Sequence, residues 1–176
     1  MRLLQGIVLL FMLFSELAMA DSQKTVYGYI EKVILVDKQL PISAKLDTGA
    51  KSASLNARAI REVSVDGKPF LHFIVPNKTG DKEFTCEYIG EVRIKIRSGE
   101  SRIAPISKTA IRRPMVRMKV QLGDQIREIR VNLTNRKRFN YPLLLGREAL
   151  ITFNGVVDPA LKFTLKKRLG KTHENQ

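Results

Sequence analysis

A carboxylate that could do chemistry stands in the stretch AKLDTGAKS, Ala44 to Ser52. Asp47 follows an alternating, strand-like run and precedes a small hydroxyl residue, a glycine and a polar turn. Hydrolysis of a peptide bond by carboxyl groups alone needs two of them, because one must take a proton from water while the other polarises the scissile carbonyl. Asp47 is therefore either half of such a pair or a turn aspartate that caps the segment beginning at Thr48.

The second carboxylate of such a pair would have to come from another copy of the chain. The sequence has one Asp-Thr-Gly motif, and the aspartates after residue 21 otherwise stand in the contexts V-D-K, V-D-G, G-D-K, G-D-Q and V-D-P. Two carboxyl groups about 3 Å apart share one proton, so the pair titrates with apparent pKa values that belong to neither residue alone. If Asp47 is catalytic, we expect a two-fold homodimer with both copies of Asp47 on its axis.

Metal and cofactor chemistry has no recognisable motif in the sequence. It contains two histidines, His72 and His173, and therefore no His-Glu-x-x-His pair or Cys/His cluster. A Gly-rich phosphate loop ending in Lys-Ser or Lys-Thr is also absent. We expect no metal and no cofactor.

Cys86 is the single cysteine, so no internal disulfide can form. A small buried hydrophobic residue is the favoured interpretation of Cys86, with a reactive thiol or an intermolecular bridge as the alternatives.

The elements that must position Asp47 are mainly strands. Runs rich in Val, Ile, Thr and aromatic residues are TVYGYIEKVILV, LPISAKL, FLHFIV, EFTCEYIGEVRIKI, PMVRMKVQL, IREIRVNLT and LKFTLKK. Turn residues separate them at Asp66-Gly67, Asn77 to Gly80, Ser98-Gly99 and Gly123-Asp124. Only Ser52 to Val63 and Gly146 to Phe153 are predicted to be helical. The pattern favours a mainly β protein, a small closed or sandwiched antiparallel barrel with one or two short helices.

The first twenty residues have the pattern of a secretory signal peptide. A cation precedes an apolar run, and the segment ends in the small-residue motif A-M-A. We predict that residues 1–20 are removed, that 21–168 form one β-barrel domain, and that 169–176 are a polar tail. The protein is then secreted, with the periplasm as its expected location; an uncleaved N-terminal anchor is the alternative.

The chain carries 31 Lys and Arg against 17 Asp and Glu, a formal net charge of +14. Charge of this size attracts polyanions over long range. For a secreted protein these are acidic peptides, envelope phosphates or anionic lipid, so peripheral contact with an anionic envelope surface is expected and nucleic acid is not. A solubilising face of cations explains the charge equally well. Arg112-Arg113-Pro114 and Arg136-Lys137-Arg138 are both predicted to be exposed loop cations.

The motif D-T-G-A and the downstream segment YPLLLGREAL, Tyr141 to Leu150, together resemble a retropepsin, the single-domain aspartic protease of retroviruses. AKLDTGAKSASLNA with LTNRKRFNYPLLLGREAL is more closely similar to the bacterial family often labelled "ATP-dependent zinc protease", whose members are retropepsin-like despite that label. The resemblance covers about Tyr27 to Phe163. It implies a small closed barrel of the retropepsin type, hydrolysis of peptide bonds by an Asp47 dyad, and a homodimer, with neither zinc nor ATP.

The resemblance also implies a role for each residue of the two motifs. Asp47 is the catalytic carboxylate, Thr48 hydrogen-bonds across the two-fold axis, and Gly49 allows the backbone to approach the dyad closely. Leu144 to Gly146 brace the loop from below.

Lys51 and Arg147 are where the sequence departs from the viral pattern. Viral retropepsins carry an aspartate at the position of Lys51, and it pairs with the arginine after the braced glycine. Arg147 must then find another partner, for which Glu148, Glu62 or a backbone carbonyl are candidates. Ala50, Lys51 and Arg147 are predicted to bind substrate, and the two cations favour an acidic side chain in a peptide or protein substrate.

Two questions stay open at the level of sequence. The segment IVPNKTGDKEF, Ile74 to Phe84, is either a stiff lid over the cleft or an ordinary surface hairpin. A secreted aspartic endopeptidase is the favoured function. The alternatives are a non-catalytic binding module that captures anionic peptide or envelope polymer through its basic surface, and a monomeric structural barrel.

Overall fold

The computed structural model describes residues 23–94 and 111–165. The predicted signal peptide, the polar tail and the Ser98-Gly99 turn lie outside these residues, as does the end of LKFTLKK.

The described residues form eleven strands and one α-helix that lies wholly within them. The strands are β1 (Thr25–Gly28), β2 (Ile30–Leu35), β3 (Leu40–Leu46), β4 (Ala53–Asn56), β5 (Arg58–Val65), β6 (Lys68–Val75), β7 (Lys82–Ile94), β8 (Ile111–Leu122), β9 (Gln125–Thr134), β10 (Leu143–Leu145) and β11 (Gly155–Asp158). The helix, α1, spans Arg147–Thr152. Over the described ranges, no helix has the length and apolar character needed to cross a membrane.

Six of the strands close into a barrel. Their order is β2-β3-β10-β4-β9-β8. The barrel closes because β8 also pairs with β2, in the register Leu122 with Val33, Gln121 with Ile34 and Val120 with Leu35. β7, β6 and β5 continue the sheet outward from β8, and β1 pairs with β11 in a separate two-stranded parallel sheet. The predicted fold class, a mainly β protein with a small closed barrel and a short helix, is confirmed.

Pairing within the barrel is mixed rather than wholly antiparallel. β10 runs parallel to β3 and β4 runs parallel to β9, whereas the other barrel neighbours are antiparallel. Parallel strands end at the same edge of a sheet, so the loops that follow Leu46 and Leu145 begin side by side. Alternation in the sequence predicts strands, but it does not encode the direction of a distant neighbour.

The barrel core is built from residues that alternate along the strands. In β3, Leu40, Ile42, Ala44 and Leu46 are buried and the residues between them are more exposed, as the pleat of a half-buried strand requires. Buried faces of the other barrel strands join them in one apolar cluster. A one-residue slip would turn these side chains to the opposite face, so the cluster fixes the register of β3 and the point at which Asp47 emerges.

The helix predicted over Ser52 to Val63 is wrong, because this segment forms β4 and β5. Ala53, Ser54 and Leu55 are all buried, since β4 lies between β10 and β9 in the barrel wall. Pairing on both sides overrides the helix propensity of an Ala-rich segment. The second predicted helix, Gly146 to Phe153, is confirmed as α1.

The strand predicted at LKFTLKK is wrong for the part that the structure describes. Leu161 to Phe163 have no regular secondary structure. The backbone N–H and the hydroxyl of Thr164 donate to Oε1 of Glu31 at 2.9 and 2.6 Å, and the N–H of Gly28 donates to the same oxygen at 2.8 Å. Because Glu31 is fully buried, this carboxylate ties the C-terminal segment to β1 and β2.

Turns are confirmed at three of the predicted sites. Asp66 and Gly67 have φ values of 50° and 74°, as a two-residue hairpin between β5 and β6 requires. Gly80 and Gly123 also have positive φ, in the β6–β7 and β8–β9 turns.

Cys86 on β7 is buried in the apolar cluster, which confirms the interpretation as a small hydrophobic residue. Burial, with a smaller contribution from the charge of Asp37, raises the pKa of its thiol to about 12.

Candidate active site

Asp47 lies where the chain leaves β3, beside the end of β10. The two strands pair in the register Lys45 with Leu144 and Leu46 with Leu145. One step further along, the backbone N–H of Asp47 donates to the carbonyl oxygen of Leu145 at 2.9 Å. This bond joins the Asp-Thr-Gly motif directly to the Leu-Leu-Gly-Arg motif.

The two oxygens of the Asp47 carboxylate have different surroundings. Oδ1 accepts the backbone N–H groups of Gly49 at 2.9 Å and Ala50 at 3.3 Å, the pattern of an Asx turn. Oδ2 lies 3.3 Å from Nζ of Lys45, and the Asp47 side chain is 27% exposed. The turn interpretation of Asp47 is therefore correct for one oxygen, and the other oxygen lies outside the turn.

The local environment keeps Asp47 ionised at neutral pH in the single chain. Partial burial alone would raise the pKa of its carboxyl, but the hydrogen bond from Gly49, the charge of Lys45 and the bond from Ala50 hold that pKa below its ordinary value. An ionised Asp47 can accept a proton from water, but it has none to donate to a carbonyl oxygen.

Gly146 and the first turn of α1 brace the Asp47 loop. A Cβ at Gly146 would lie 2.7 Å from the carbonyl oxygen of Ser52 and 2.9 Å from that of Ala50, so only glycine allows this approach. The N–H of Arg147 donates to the carbonyl oxygen of Ala50 at 2.8 Å, which satisfies one of the donors that a helix leaves unpaired at its start. The brace expected from Leu144 to Gly146 matches this geometry.

Arg147 and Lys51 both make contacts within the same loop region. Nη1 of Arg147 donates to the carbonyl oxygens of Thr48 at 3.1 Å and Gly49 at 3.2 Å. Of the three candidate partners, a backbone carbonyl is thus the one observed. Nζ of Lys51 lies 3.8 Å from Glu148, and the Lys51 side chain is 79% exposed, so this ion pair adds little stability.

The tip of the loop is exposed. Thr48 and Gly49 are both accessible to solvent. The bond across a two-fold axis predicted for Thr48 and the substrate contacts predicted for Ala50, Lys51 and Arg147 stay predictions, because each involves a second molecule.

Arg136 is a charged residue near the site that differs from its predicted setting. The sequence predicts an exposed loop cation, but Arg136 is only 6% exposed. Its Nε donates to the carbonyl oxygen of Tyr141 at 3.3 Å, and its guanidinium lies 4.3 Å from the ring centre of Phe139. Burial and the charge of Arg113 lower the pKa of Arg136, while the charge of Asp47 acts in the opposite direction. Both charges therefore lie within electrostatic reach of Arg136. Phe139, three residues further along the chain, is the one sequence signal for its covered position.

Arg113 also differs from its predicted setting in a loop. It lies within β8, half-buried, and burial lowers the pKa of its guanidinium. Pro114 suggested a loop, but β8 tolerates it beside the irregular pairing with β7 between Tyr88 and Glu91.

The hairpin at Ile74 to Phe84 joins β6 to β7 and is tied to β5. Arg58 forms an ion pair with Asp81, and the backbone N–H of Asn77 donates to Asp81 at 3.2 Å. These contacts tie the hairpin to β5, and none of those described for it involves a residue of the Asp47 loop, which favours a surface hairpin over a lid.

Metal ligands do not cluster in the part of the chain that the structure describes. There, no group of three or more His, Cys, Asp or Glu residues is placed to hold a metal ion.

A closed barrel whose Asp-Thr-Gly loop is braced by a Leu-Leu-Gly-Arg segment and a short helix has the architecture of the retropepsin-like class. A family model described as RimB-like, retropepsin-like aspartic endopeptidase RimB, matches residues 26–168. The chain belongs to this family, which confirms the resemblance carried by the two motifs.

Relatives of the chain include longer proteins that are named as ligases rather than as endopeptidases. A probable alpha-L-glutamate ligase of Shewanella pealeana is 32% identical over 131 residues, which are 72% of this chain and 26% of the relative. Another, from Desulfotalea psychrophila, is 30% identical over 165 residues, 89% of this chain and 33% of the relative. The chain thus spans about a quarter to a third of the length of these proteins.

A solved structure shares the fold closely. It is the crystal structure of a Legionella pneumophila protein of unknown function, 54% identical with a TM-score of 0.71, and the match covers 81% of this chain and 99% of the Legionella chain.

Proposed function

We propose that this protein is an aspartic endopeptidase whose active site is formed by Asp47 of two identical chains. The observation that carries the proposal is how Asp47 is held. β10, Gly146 and Arg147 fix its loop through backbone contacts, while Oδ2 stays outside the turn that engages Oδ1. A reacting group must be held within a fraction of an ångström of its productive position, and a brace from a distant segment of the chain supplies that precision.

A second chain supplies the acid that the single chain lacks. Two carboxylates about 3 Å apart cannot both stay ionised, so the pair takes up one proton. One Asp47 then accepts a proton from the attacking water, and the other donates its proton to the carbonyl oxygen. Collapse of the tetrahedral intermediate breaks the C–N bond, and the departing nitrogen takes a proton from the dyad.

The loop tip suits contact between two copies. Thr48 and Gly49 are exposed beside Asp47, and neither has a bulky side chain that would keep a second loop away. Thr48 is the residue expected to bond across the axis.

We propose a peptide or protein rich in acidic side chains as the substrate. The chain has a net charge of +14, and Lys45 and Arg136 bring positive charge to the surroundings of Asp47. Similar proteins are named for glutamate ligation, which fits a substrate that carries glutamate. The segment 1–20 supports secretion, and the net charge supports peripheral contact with an anionic envelope.

The same charge favours the second candidate function, a non-catalytic module that captures anionic peptide or polymer. Binding of that kind weakens steeply with ionic strength. Hydrolysis depends instead on Asp47, so salt dependence and the Asp47 variant separate the two functions.

The test is cleavage of a peptide library, read by mass spectrometry, with the protein lacking residues 1–20 and with its Asp47→Asn variant. We expect products from the first protein and none from the second. The same products from both would contradict the proposal.

A further inference from the structure

The Asp47 loop, residues 47–52, joins β3 to β4 and is held at more than one point. Its first residue is bonded to β10. Its middle is bonded to α1, whose first two N–H groups donate to the carbonyl oxygens of Ala50 and Lys51 at 2.8 and 3.1 Å. The last residue of the loop, Ser52, is fixed by a residue from a different strand.

That residue is Asn132 on β9. Its Nδ2 donates to Oγ of Ser52 at 3.2 Å and to the carbonyl oxygen of Ala53, the first residue of β4, at 2.5 Å. Because a carbonyl oxygen can only accept, the contact with Ala53 fixes which end of the Asn132 amide carries the N–H groups. One side chain therefore ties the end of the loop to the barrel wall.

The stability of the barrel does not explain an asparagine at this position. Asn132 is 1% exposed, and its Oδ1 has no hydrogen-bond partner among the described residues. A buried polar atom without a partner destabilises a fold, and an apolar residue would avoid that cost; the neighbours of Asn132 along β9, Val131 and Leu133, are apolar. Asn132 differs from them in the N–H groups of Nδ2, which are the groups that the loop uses.

Ser52 is also the residue that the brace from Gly146 approaches. A Cβ at Gly146 would lie 2.7 Å from the carbonyl oxygen of Ser52. The backbone of Ser52 is thus confined by Gly146, and its side chain is held by Asn132. Movement of Ser52 would displace the N–H groups of Gly49 and Ala50, which belong to the same short loop and donate to Oδ1 of the catalytic carboxylate.

We propose that Asn132 is a positioning residue for the reaction of Asp47. It fixes the end of the loop and thereby the direction of the carboxylate. This assignment rests on the proposed function, and Asn132 acts through Ser52 and Ala53 without touching a reacting atom. Small displacements of a reacting group lower the rate of the chemical step. Loss of these bonds should therefore lower kcat and leave KM nearly unchanged, because a side chain that is 1% exposed does not contact a peptide.

The test measures kcat and KM for peptide cleavage by the protein and by variants at three positions. Asn132→Leu has a similar shape and lacks the N–H donors. Ser52→Ala removes one of the two acceptors. Ser54→Ala is the matched control, because Ser54 lies opposite Asn132 on β4, is 4% exposed, and has an Oγ without a partner in the described ranges.

We expect kcat to fall by about tenfold or more in Asn132→Leu, by a smaller factor in Ser52→Ala, and not at all in Ser54→Ala. The double variant of Asn132 and Ser52 should lose no more than Asn132→Leu alone, since both changes remove the same contact. Urea unfolding gives the folded fraction in each assay, and kcat is expressed per folded molecule. An unchanged kcat per folded molecule in Asn132→Leu would overturn the positioning role and leave the proposed function intact.

A protein that cleaves no peptide would fail the proposed function instead. The position of the loop is then tested by titration of the Asp47 carboxyl, followed by carbon NMR. Partial burial raises the pKa of this carboxyl, but the bond from Gly49, the charge of Lys45 and the bond from Ala50 hold that pKa below its ordinary value.

If Asn132 fixes the loop, Asn132→Leu should raise the pKa of Asp47 towards its ordinary value, because the N–H groups that hold Oδ1 are no longer kept in place. Ser54→Ala should leave this pKa where it is. The same Asp47 titration in Asn132→Leu as in the unmodified protein would overturn the positioning role.

Discussion

The backbone N–H of Asp47 donates to the carbonyl oxygen of Leu145 at 2.9 Å. This hydrogen bond extends the parallel pairing of β3 and β10 by one residue. Asp47 is therefore held by β10 at the point where the chain leaves the end of the barrel. The position of the candidate catalytic group therefore depends on two segments that are far apart in the sequence.

Gly146→Ala should disturb this arrangement. The added Cβ would meet the carbonyl oxygens of Ser52 and Ala50 at 2.7 and 2.9 Å, and backbone on both sides leaves little room to relax. We expect the free energy of unfolding to fall by about 1–3 kcal/mol, measured by urea denaturation, with loss of peptide cleavage by the molecules that remain folded.

Gly67→Ala is the control for this substitution. Its φ of 74° makes alanine unfavourable, but no atom lies within 4 Å of the new Cβ, so the cost is about 1 kcal/mol and cleavage should persist. Wild-type stability and activity in Gly146→Ala would show that the brace is not needed.

Arg147→Gln separates two roles for this arginine. If Arg147 positions the loop through the carbonyl oxygens of Thr48 and Gly49, kcat/KM should fall by about tenfold or more for every peptide, because the dyad itself is misplaced. A loss confined to peptides with Glu would instead assign Arg147 to substrate recognition. Lys51→Gln removes only a weak, exposed ion pair with Glu148, so the fold should keep its stability, and a loss of rate confined to peptides with Glu would support the substrate contact predicted for Lys51.

Dimerisation should strengthen as the pH falls from neutral. In the free chain Asp47 is ionised, because its pKa lies below the ordinary value, whereas the dyad must hold one proton. Association therefore takes up a proton and is favoured by acid. The dissociation constant should change over the pH range between the upper apparent pKa of the dyad and the lowered pKa of Asp47 in the free chain.

Sedimentation equilibrium at several pH values tests this linkage. The dissociation constant should decrease as the pH is lowered through that range, and Asp47→Asn should remove most of the dependence. A dissociation constant that is independent of pH would argue against a shared proton at the interface.

Cys86 should be inert in the folded protein. Its thiol is buried, and its pKa is raised to about 12, so almost none of the reactive thiolate is present at neutral pH. We expect no reaction with a chromogenic disulfide reagent at pH 8 until the protein is unfolded by urea, when one thiol per chain should react. Rapid labelling of the native protein would restore the reactive-thiol alternative.

The residues at the centre of the site were predictable because each motif is contiguous. Asp47, Gly146 and Arg147 stand in short patterns that can be found without knowing the fold, and the alternation of β3 predicts its buried face. The strand β4 was not predictable in the same way. It pairs with β9 and β10 and is buried on both faces, so its sequence shows no simple alternation, and the alanines at positions 53, 57 and 59 favour a helix when considered alone.

Residues that approach the site from elsewhere in the chain were missed for a related reason. Arg113 and Arg136 stand in short runs of charge, which usually face solvent. Their burial depends on strand pairing and on contacts such as that between Arg136 and Phe139. Unpaired atoms such as Oδ1 of Asn132 can be recognised only once the surroundings of the side chain are known.

The central claim is that one active site needs Asp47 from two chains, and subunit mixing tests it most directly. Asp47→Asn is added to the unmodified protein at constant total concentration, native mass spectrometry verifies that mixed dimers form, and the rate of peptide cleavage is measured. We predict that the rate follows the square of the unmodified fraction and falls to about one quarter at equal mixing, because only dimers with two aspartates are active. A rate proportional to the unmodified fraction, about one half at equal mixing, would contradict a dyad shared between chains.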